Sequence, residues 1–238
     1  MRKILCENCA IRDTGIIADL PVEKLDEFRA CSVTAIYKPR QVVFHEGTSA
    51  CGLYILCHGA VKLYQSDRFG RDHILGVAGP GDVVGELPVD PTESYSTSAE
   101  VLTESQLCYL PRERLVQFIQ LHPMTGVRLI AALSTALGAA RKKVRDLALK
   151  PAETRLAELL VQLARSAGRP AQNGATRVIL RYSRREIAEM IGISTETAIR
   201  LLGRLKKKRV ITVHQRELVI SDVEKLMRFA NQGSVATS

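Results

Sequence analysis

The sequence predicts an α+β fold: an N-terminal antiparallel β domain of sandwich, roll or barrel type, a long helix suited to dimerisation and a C-terminal helix-turn-helix. Three observations carry it. Residues 33–110 break into short apolar, β-branched or aromatic runs, with glycine recurring at roughly ten-residue spacing. After Pro123 the apolar period changes from two to about three and a half. Residues 183–209 then hold two short amphipathic helices, a glycine between them and a basic run behind them.

The strand candidates are residues 41–44, 52–56, 60–64, 73–77 and 106–110, separated by Gly47, Gly59, Gly70, Gly79, Pro80, Gly81 and Gly85. This is the pattern of an antiparallel sandwich, roll or barrel, and no phosphate-loop spacing interrupts it. The expected boundaries are a cysteine-bearing segment at 1–22, the β-roll at 23–122, the helix at 123–150 and the helix-turn-helix unit at 151–238.

Ile130, Leu133, Leu137, Ala140, Val144 and Leu147 recur at alternating spacings of three and four, an a/d seam. A stripe that narrow needs a partner helix. Pairing with a second copy of the chain would give the twofold symmetry that matches palindromic DNA sites. Pro151 ends this helix and residues 152–166 form another amphipathic one. Residues 166–174 read as loop.

Within the last segment, Ser183 is placed to cap a helix whose apolar side is Ile187, Met190 and Ile191, and Gly192 supplies the left-handed residue that breaks out of it. Ser194 caps a second helix, in which Ile199, Leu202 and Leu205 are expected to face the core. Thr195, Glu196 and Arg200 then lie on the outer side. Arginine recognises guanine O6/N7 and glutamate accepts from cytosine N4, so Glu196 and Arg200, one turn apart, suit the reading of a G·C step. An i,i+4 Glu/Arg pair also stabilises a solvated helix face; the turn, the caps and the basic run favour DNA.

Charge is asymmetric. Residues 1–149 hold 17 Lys+Arg and 17 Asp+Glu, whereas residues 150–238 hold 17 and 8, so the formal charge of +9 lies in the last third. Arg184, Arg185, Arg204, Lys206, Lys207, Lys208 and Arg209 are the candidates for neutralising phosphate, with Ser183, Ser194 and Thr197 at the two helix starts.

No membrane span or secretory signal is expected, since the apolar runs fall far below about 20 residues. A cytoplasmic protein would keep Cys6, Cys9, Cys31, Cys51, Cys57 and Cys108 reduced, so metal binding, redox chemistry or plain burial replaces a disulfide framework. Cys6 and Cys9 form a C-x2-C pair suited to one metal centre. Cys51 and Cys57, in or beside apolar strands, read as buried small hydrophobes, and His58 as a surface residue at a turn. The five histidines stand in no metalloprotease or nucleophile-elbow context, and an enzyme is not expected.

In this order, with a hairpin at 210–220 as wing, the chain resembles the Crp/Fnr family of bacterial transcription regulators over about residues 5–225. ETAIRLLGRL (196–205) is similar to the Fnr-type recognition helix, with Ile199 where that pattern has serine, and GDVVGEL (81–87) to the family's β-roll loop. The resemblance implies RNA polymerase as a partner. It also implies a signal. In the cyclic-AMP branch an arginine precedes a Ser/Thr at the place filled here by Ser96-Thr97, and no arginine lies between Arg71 and Arg112, so Glu86 lacks its cationic companion and cyclic AMP is not expected. Cys6, Cys9 and Cys108 stand where Fnr-type oxygen sensors place iron–sulfur ligands, which implies a [4Fe-4S] cluster. Gly15 occupies the place of the third N-terminal cysteine, leaving Asp13, close in sequence, or Cys31, and Cys51 or Cys57 if the fold brings them near, as candidates for the missing ligand. A thiol switch, haem, another ligand or constitutive DNA binding are the alternatives.

Overall fold

The computed structural model of the chain describes residues 9, 12–13, 15–70, 72–87, 90, 92–167, 178–180, 182–214, 217–221 and 223–232. Two compact units divide between Ala140 and Arg141.

In the first unit, a 3-10 turn at Val22–Lys24 leads into α1 (Leu25–Cys31). Eight strands follow: β1 (Val33–Tyr37), β2 (Val42–Phe44), β3 (Gly52–His58), β4 (Val61–Ser66), β5 (Asp72–Ala78), β6 (Val83–Val84), β7 (Ser98–Val101) and β8 (Ser105–Pro111). They form two antiparallel sheets, β1-β8-β3-β6 and β2-β7-β4-β5. The five runs seen in the sequence fall on β2, β3, β4, β5 and β8; β1, β6 and β7 add the rest. One core cluster gathers Phe44, Leu56, Val61, Val84, Tyr95, Ala99 and Leu107. The other joins Leu53, Ile55 and Leu110 to Ile16, Ile17, Leu25, Phe28, Leu115 and Phe118. Strand β8 does not run directly into the long helix, because α2 (Arg112–Leu121) intervenes, capped by the fixed φ of Pro111 and burying Leu115 and Phe118.

Helix α3 (Pro123–Leu149) crosses the division between the units. Among the described helices it alone is long and apolar enough, by length and composition, to cross a membrane. The sequence reading missed this because residues 123–140 hold one charge, Arg128, yet glycine, threonine and serine break the stretch into short apolar runs.

In the second unit, α4 (Ala152–Ala167), α5 (Arg184–Ile191), α6 (Thr195–Lys207) and α7 (Val223–Gln232) join a sheet ordered β10-β11-β9, from Ile211–His214, Glu217–Ile220 and Val178–Leu180. Their core is Leu156, Leu160, Ile187, Ile191, Leu201, Leu202, Leu205, Ile211, Ile220 and Leu226. The expected wing is the β10–β11 hairpin, paired from Ile211↔Ile220 to His214↔Glu217. Of the expected 166–174 loop, Ser166 ends up inside α4 and the remainder from 168 onward lies outside the described residues.

Candidate nucleic-acid interface and cysteine cluster

Helix α5 begins with a complete capping box: the Ser183 Oγ accepts from the Glu186 backbone N–H at 3.1 Å, and a Glu186 carboxylate oxygen accepts from the Ser183 N–H at 2.7 Å. It ends at Gly192, whose φ of 66° is the left-handed conformation and whose N–H returns to Ala188 and Glu189. Ser194 then starts α6, accepting from the Thr197 N–H at 3.2 Å and donating to the Thr197 Oγ1 at 3.1 Å. The two helices and the turn thus follow from side chains legible in the sequence.

The inner face of α6 is Ala198, Leu201, Leu202 and Leu205. Ile199 does not face the core as expected; it is 45% exposed. At 100° per residue it lies next to Arg200, and the i, i+3, i+4, i+7 series starting from Ala198 covers the core without it. Thr195 is half-buried, while Glu196 and Arg200 are exposed on the open side. Among the described residues no salt bridge joins Glu196 to Arg200, so the pair is not a helix-surface ion pair. The backbone N–H of Glu196 and the Ser194 hydroxyl hold the Glu196 carboxyl below the usual carboxylate range.

Around this face, Arg184, Lys206, Lys207 and Arg209 are exposed. Arg185 donates to Glu189 at 2.6 Å, Arg204 lies 3.5 Å from Glu153, and the Lys208 ammonium sits 3.8 Å over the Phe229 ring. Such exposed pairs are weak in water and open readily to a phosphate partner.

Along α3, Ile130, Leu133, Leu137, Val144 and Leu147 are between 41% and 68% exposed, and Ala140 is exposed beside them. The apolar stripe is therefore largely exposed among the described residues.

In the β-roll, Gly85 takes a φ of 96°, and a Cβ there would stand 3.1 Å from the Tyr95 ring, which stacks on Phe44 at a centroid distance of 4.0 Å. The next residue, Glu86, accepts from the Ser96 N–H at 3.0 Å and from the Ser96 hydroxyl. Residues 72–111 contain neither lysine nor arginine. On β4, the buried Lys62 ammonium is paired with Glu100 at 3.1 Å and Asp72 at 3.8 Å. The Glu86–Ser96 contact thus has no lysine or arginine within residues 72–111 beside it, the kind of cationic partner a cyclic phosphate takes.

The cysteines are distributed differently from expectation. Cys6 lies outside the described residues. Cys9 and Cys108 are buried in one core cluster, together with Cys57. The Cys57 and Cys108 thiols are 3.2 Å apart, Thr34 Oγ1 is 3.3 Å from Cys108, and hydrogen bonds with Cys108 and Cys9 together with burial push the Cys57 thiol far up. Cys57 is buried as read, but as part of a thiol group rather than as a plain hydrophobe; its neighbours come from sequence positions no local pattern connects. Cys51, expected to be buried, is exposed, because it precedes β3 and turns toward Ser49. Of the candidates for the missing ligand, Asp13 and Cys51 are exposed, Cys31 packs against the cluster and donates to the Phe28 carbonyl at 3.1 Å, and Cys57 alone is buried beside Cys108. Among the described residues, no group of three or more His, Cys, Asp or Glu is arranged as a ready cage for an ion.

Residues 34–122 match the cyclic nucleotide-binding domain and residues 154–229 the Crp-like helix-turn-helix domain. A CRP-like cAMP-activated global transcriptional regulator of Mycobacterium tuberculosis is 31% identical over 188 residues, 79% of this chain and 84% of that protein. This chain belongs to the Crp/Fnr family of transcription regulators. The transcriptional activatory protein AadR of Rhodopseudomonas palustris is 29% identical over 214 residues, 87% of this chain and 86% of its own. Among solved structures, the c-di-GMP responsive global regulator CLP of Xanthomonas campestris superposes with a TM-score of 0.72 at 27% identity, covering 84% of this chain and 99% of that one. As a Crp/Fnr protein the chain is a DNA-binding transcription regulator, and regulators of this family form dimers. The relatives found do not place it in the Fnr-type branch, and the expectation of that branch narrows to the family.

Proposed function

We propose that this chain is a homodimeric regulator that reads a palindromic double-stranded site with Glu196 and Arg200, flanked by Thr195. Ser183, Arg184, Arg185, Ser194, Thr197, Arg204, Lys206, Lys207 and Lys208 grip the phosphates. The observation that carries this reading is the pair of charged heads standing exposed, one turn apart and unpaired with each other, on the outer face of a capped α6. Segment 1–22 and roll 23–122 take the signal, helix 123–150 joins two copies, and 151–238 reads DNA. The seam is Ile130, Leu133, Leu137, Ala140, Val144 and Leu147. RNA polymerase is the downstream partner, in the cytoplasm.

The signal enters through cysteine chemistry. Relatives named for cAMP and c-di-GMP make a nucleotide the competing input, but a roll without lysine or arginine across residues 72–111 speaks against a phosphate ligand. Cys9 and Cys108, far apart in sequence, share one buried cluster, which supports an iron–sulfur centre held by Cys6, Cys9 and Cys108. When bound, such a centre supplies oxygen-labile redox chemistry; the chain's own contribution is a dry, apolar seat that limits access to it.

Two experiments test the reading. Replacing Arg200 with alanine costs about 1–3 kcal/mol on the specific site and little on random DNA, whereas Lys207→Ala weakens both and flattens the salt dependence. Equal loss on both DNAs for Arg200→Ala removes it from base reading. For the signal, protein purified without oxygen is analysed for visible absorption and iron; a colourless, iron-free protein that binds its site normally rejects the cluster.

A further inference from the structure

The structure brings a third thiol to the pair that the sequence pattern singled out. Cys57 lies on β3 and Cys108 on β8, neighbouring strands whose register shifts between Leu56 and His58. Strand alternation puts Cys57 on the same core face as Leu53 and Ile55, where its sulfur is 3.2 Å from that of Cys108. Cys9, in the N-terminal segment, hydrogen-bonds with the same Cys57 sulfur. All three are buried in one apolar cluster that includes Ile16, Ile17, Leu53 and Leu110.

Plain packing needs no sulfur at three positions drawn from separate parts of the chain. Three soft donors converging from a leading segment and two strands is the donor chemistry of a thiolate metal centre. Among the described residues the thiols do not stand as a ready cage. Two thiolates on one tetrahedral ion, at metal–sulfur bonds of about 2.3 Å, stand about 3.7 Å apart, whereas these two protonated thiols share a hydrogen bond and close to 3.2 Å. Binding would replace protons with metal and spread the sulfurs by a side-chain rotation.

We propose that Cys57 is a ligand of a soft, thiolate-held metal centre together with Cys9 and Cys108, and that it takes the role for which Gly15 leaves no side chain. The proposal rests on the iron–sulfur reading for the identity of the metal, and on the thiol geometry alone for the ligand. Neither Asp13 nor Cys51 belongs to the centre, since both are exposed.

The test compares full-length wild type with Cys57→Ser, Cys57→Ala and the exposed control Cys51→Ser, purified without oxygen. Iron and acid-labile sulfide per chain and visible absorption are measured, and the metal-free proteins are titrated with Cd2+ while thiolate charge-transfer absorption is followed. Circular dichroism and dimer content establish that each variant is folded. Wild type and Cys51→Ser should carry iron, and folded Cys57 variants should lose it. Their Cd2+ affinity should fall by more than the about 10–100-fold that loss of a mere outer-shell partner costs. Folded Cys57 variants that keep full iron overturn the proposal and leave the iron–sulfur reading standing. An iron-free wild type that takes Cd2+ through Cys57 overturns the iron–sulfur reading and upholds the ligand assignment. An iron-free wild type whose Cd2+ affinity does not depend on Cys57 overturns both.

Discussion

The guanidinium of Arg155 donates from Nε to the Ile191 carbonyl at 3.1 Å, closing the end of α5 from outside that helix. The same side chain donates from Nη1 to the Lys150 carbonyl at 2.7 Å and to the Leu147 carbonyl at 3.2 Å. Carbonyls at helix ends have no partner within their own helix, so one arginine satisfies the ends of α3 and α5 together. Replacing Arg155 with alanine is expected to destabilise the C-terminal unit by about 1.5–3 kcal/mol, the scale of one charge-assisted hydrogen bond, because water can rescue the exposed carbonyls. Thermal or urea unfolding of the variant measures this, and an unchanged midpoint would show the contact to be idle.

Ile199 is exposed beside Arg200, so in the proposed reading its side chain contributes to what a groove would meet rather than to the core. Ile199→Ser should leave the unfolding midpoint within about 0.5 kcal/mol, as surface changes do, while altering the ranking of half-site sequences in a binding selection. A large loss of stability would return Ile199 to the core.

Leu137→Glu would place a carboxylate in the middle of the α3 stripe, where Leu137 is 51% exposed in the single chain. Burying that charge between two helices without a partner is costly, so dimers should dissociate in sedimentation velocity and binding to a palindrome should collapse. An unchanged dimer would move the interface elsewhere.

The Glu196 carboxyl is held below its ordinary range by its own N–H and by Ser194. A group whose folded value is depressed contributes fully above its unfolded value, about 4.3, and loses the contribution as pH falls through the folded value. DNA discrimination due to Glu196 should therefore be flat from pH 8 down to about 5.5, and the ratio between wild type and Glu196→Gln constant across it. A ratio that shrinks between pH 7 and 6 would mean the carboxyl titrates there.

The helix-turn-helix was legible because its determinants are local: the Ser183 and Ser194 caps, the Gly192 break and the period of α5 and α6 all lie within a few residues of what they control. The five main strands were legible from composition. What escaped detection depends on distance in the chain. Cys57 reads as one more apolar strand residue until β3 pairs with β8 and brings it to Cys108. Strand β1, with Val33, Ala35, Ile36 and Tyr37, carries an apolar run that was passed over, and in the fold it is exposed or half-exposed throughout. Ile199 was misassigned because a single β-branched residue beside a core face fits either side of a helix, and only the packing of Leu201 decided it.

The left-handed turn at Gly192 has one more consequence. A methyl group there would stand 2.8 Å from Leu147 Cδ2, so the last turn of α3 rests directly on the bend between α5 and α6. Residues 141–149 belong to the same compact unit as the reading helix. The end of the long helix is thus a handle fused to the reader: a twist applied to it reaches the bend through side-chain contact, with no slack segment to absorb it.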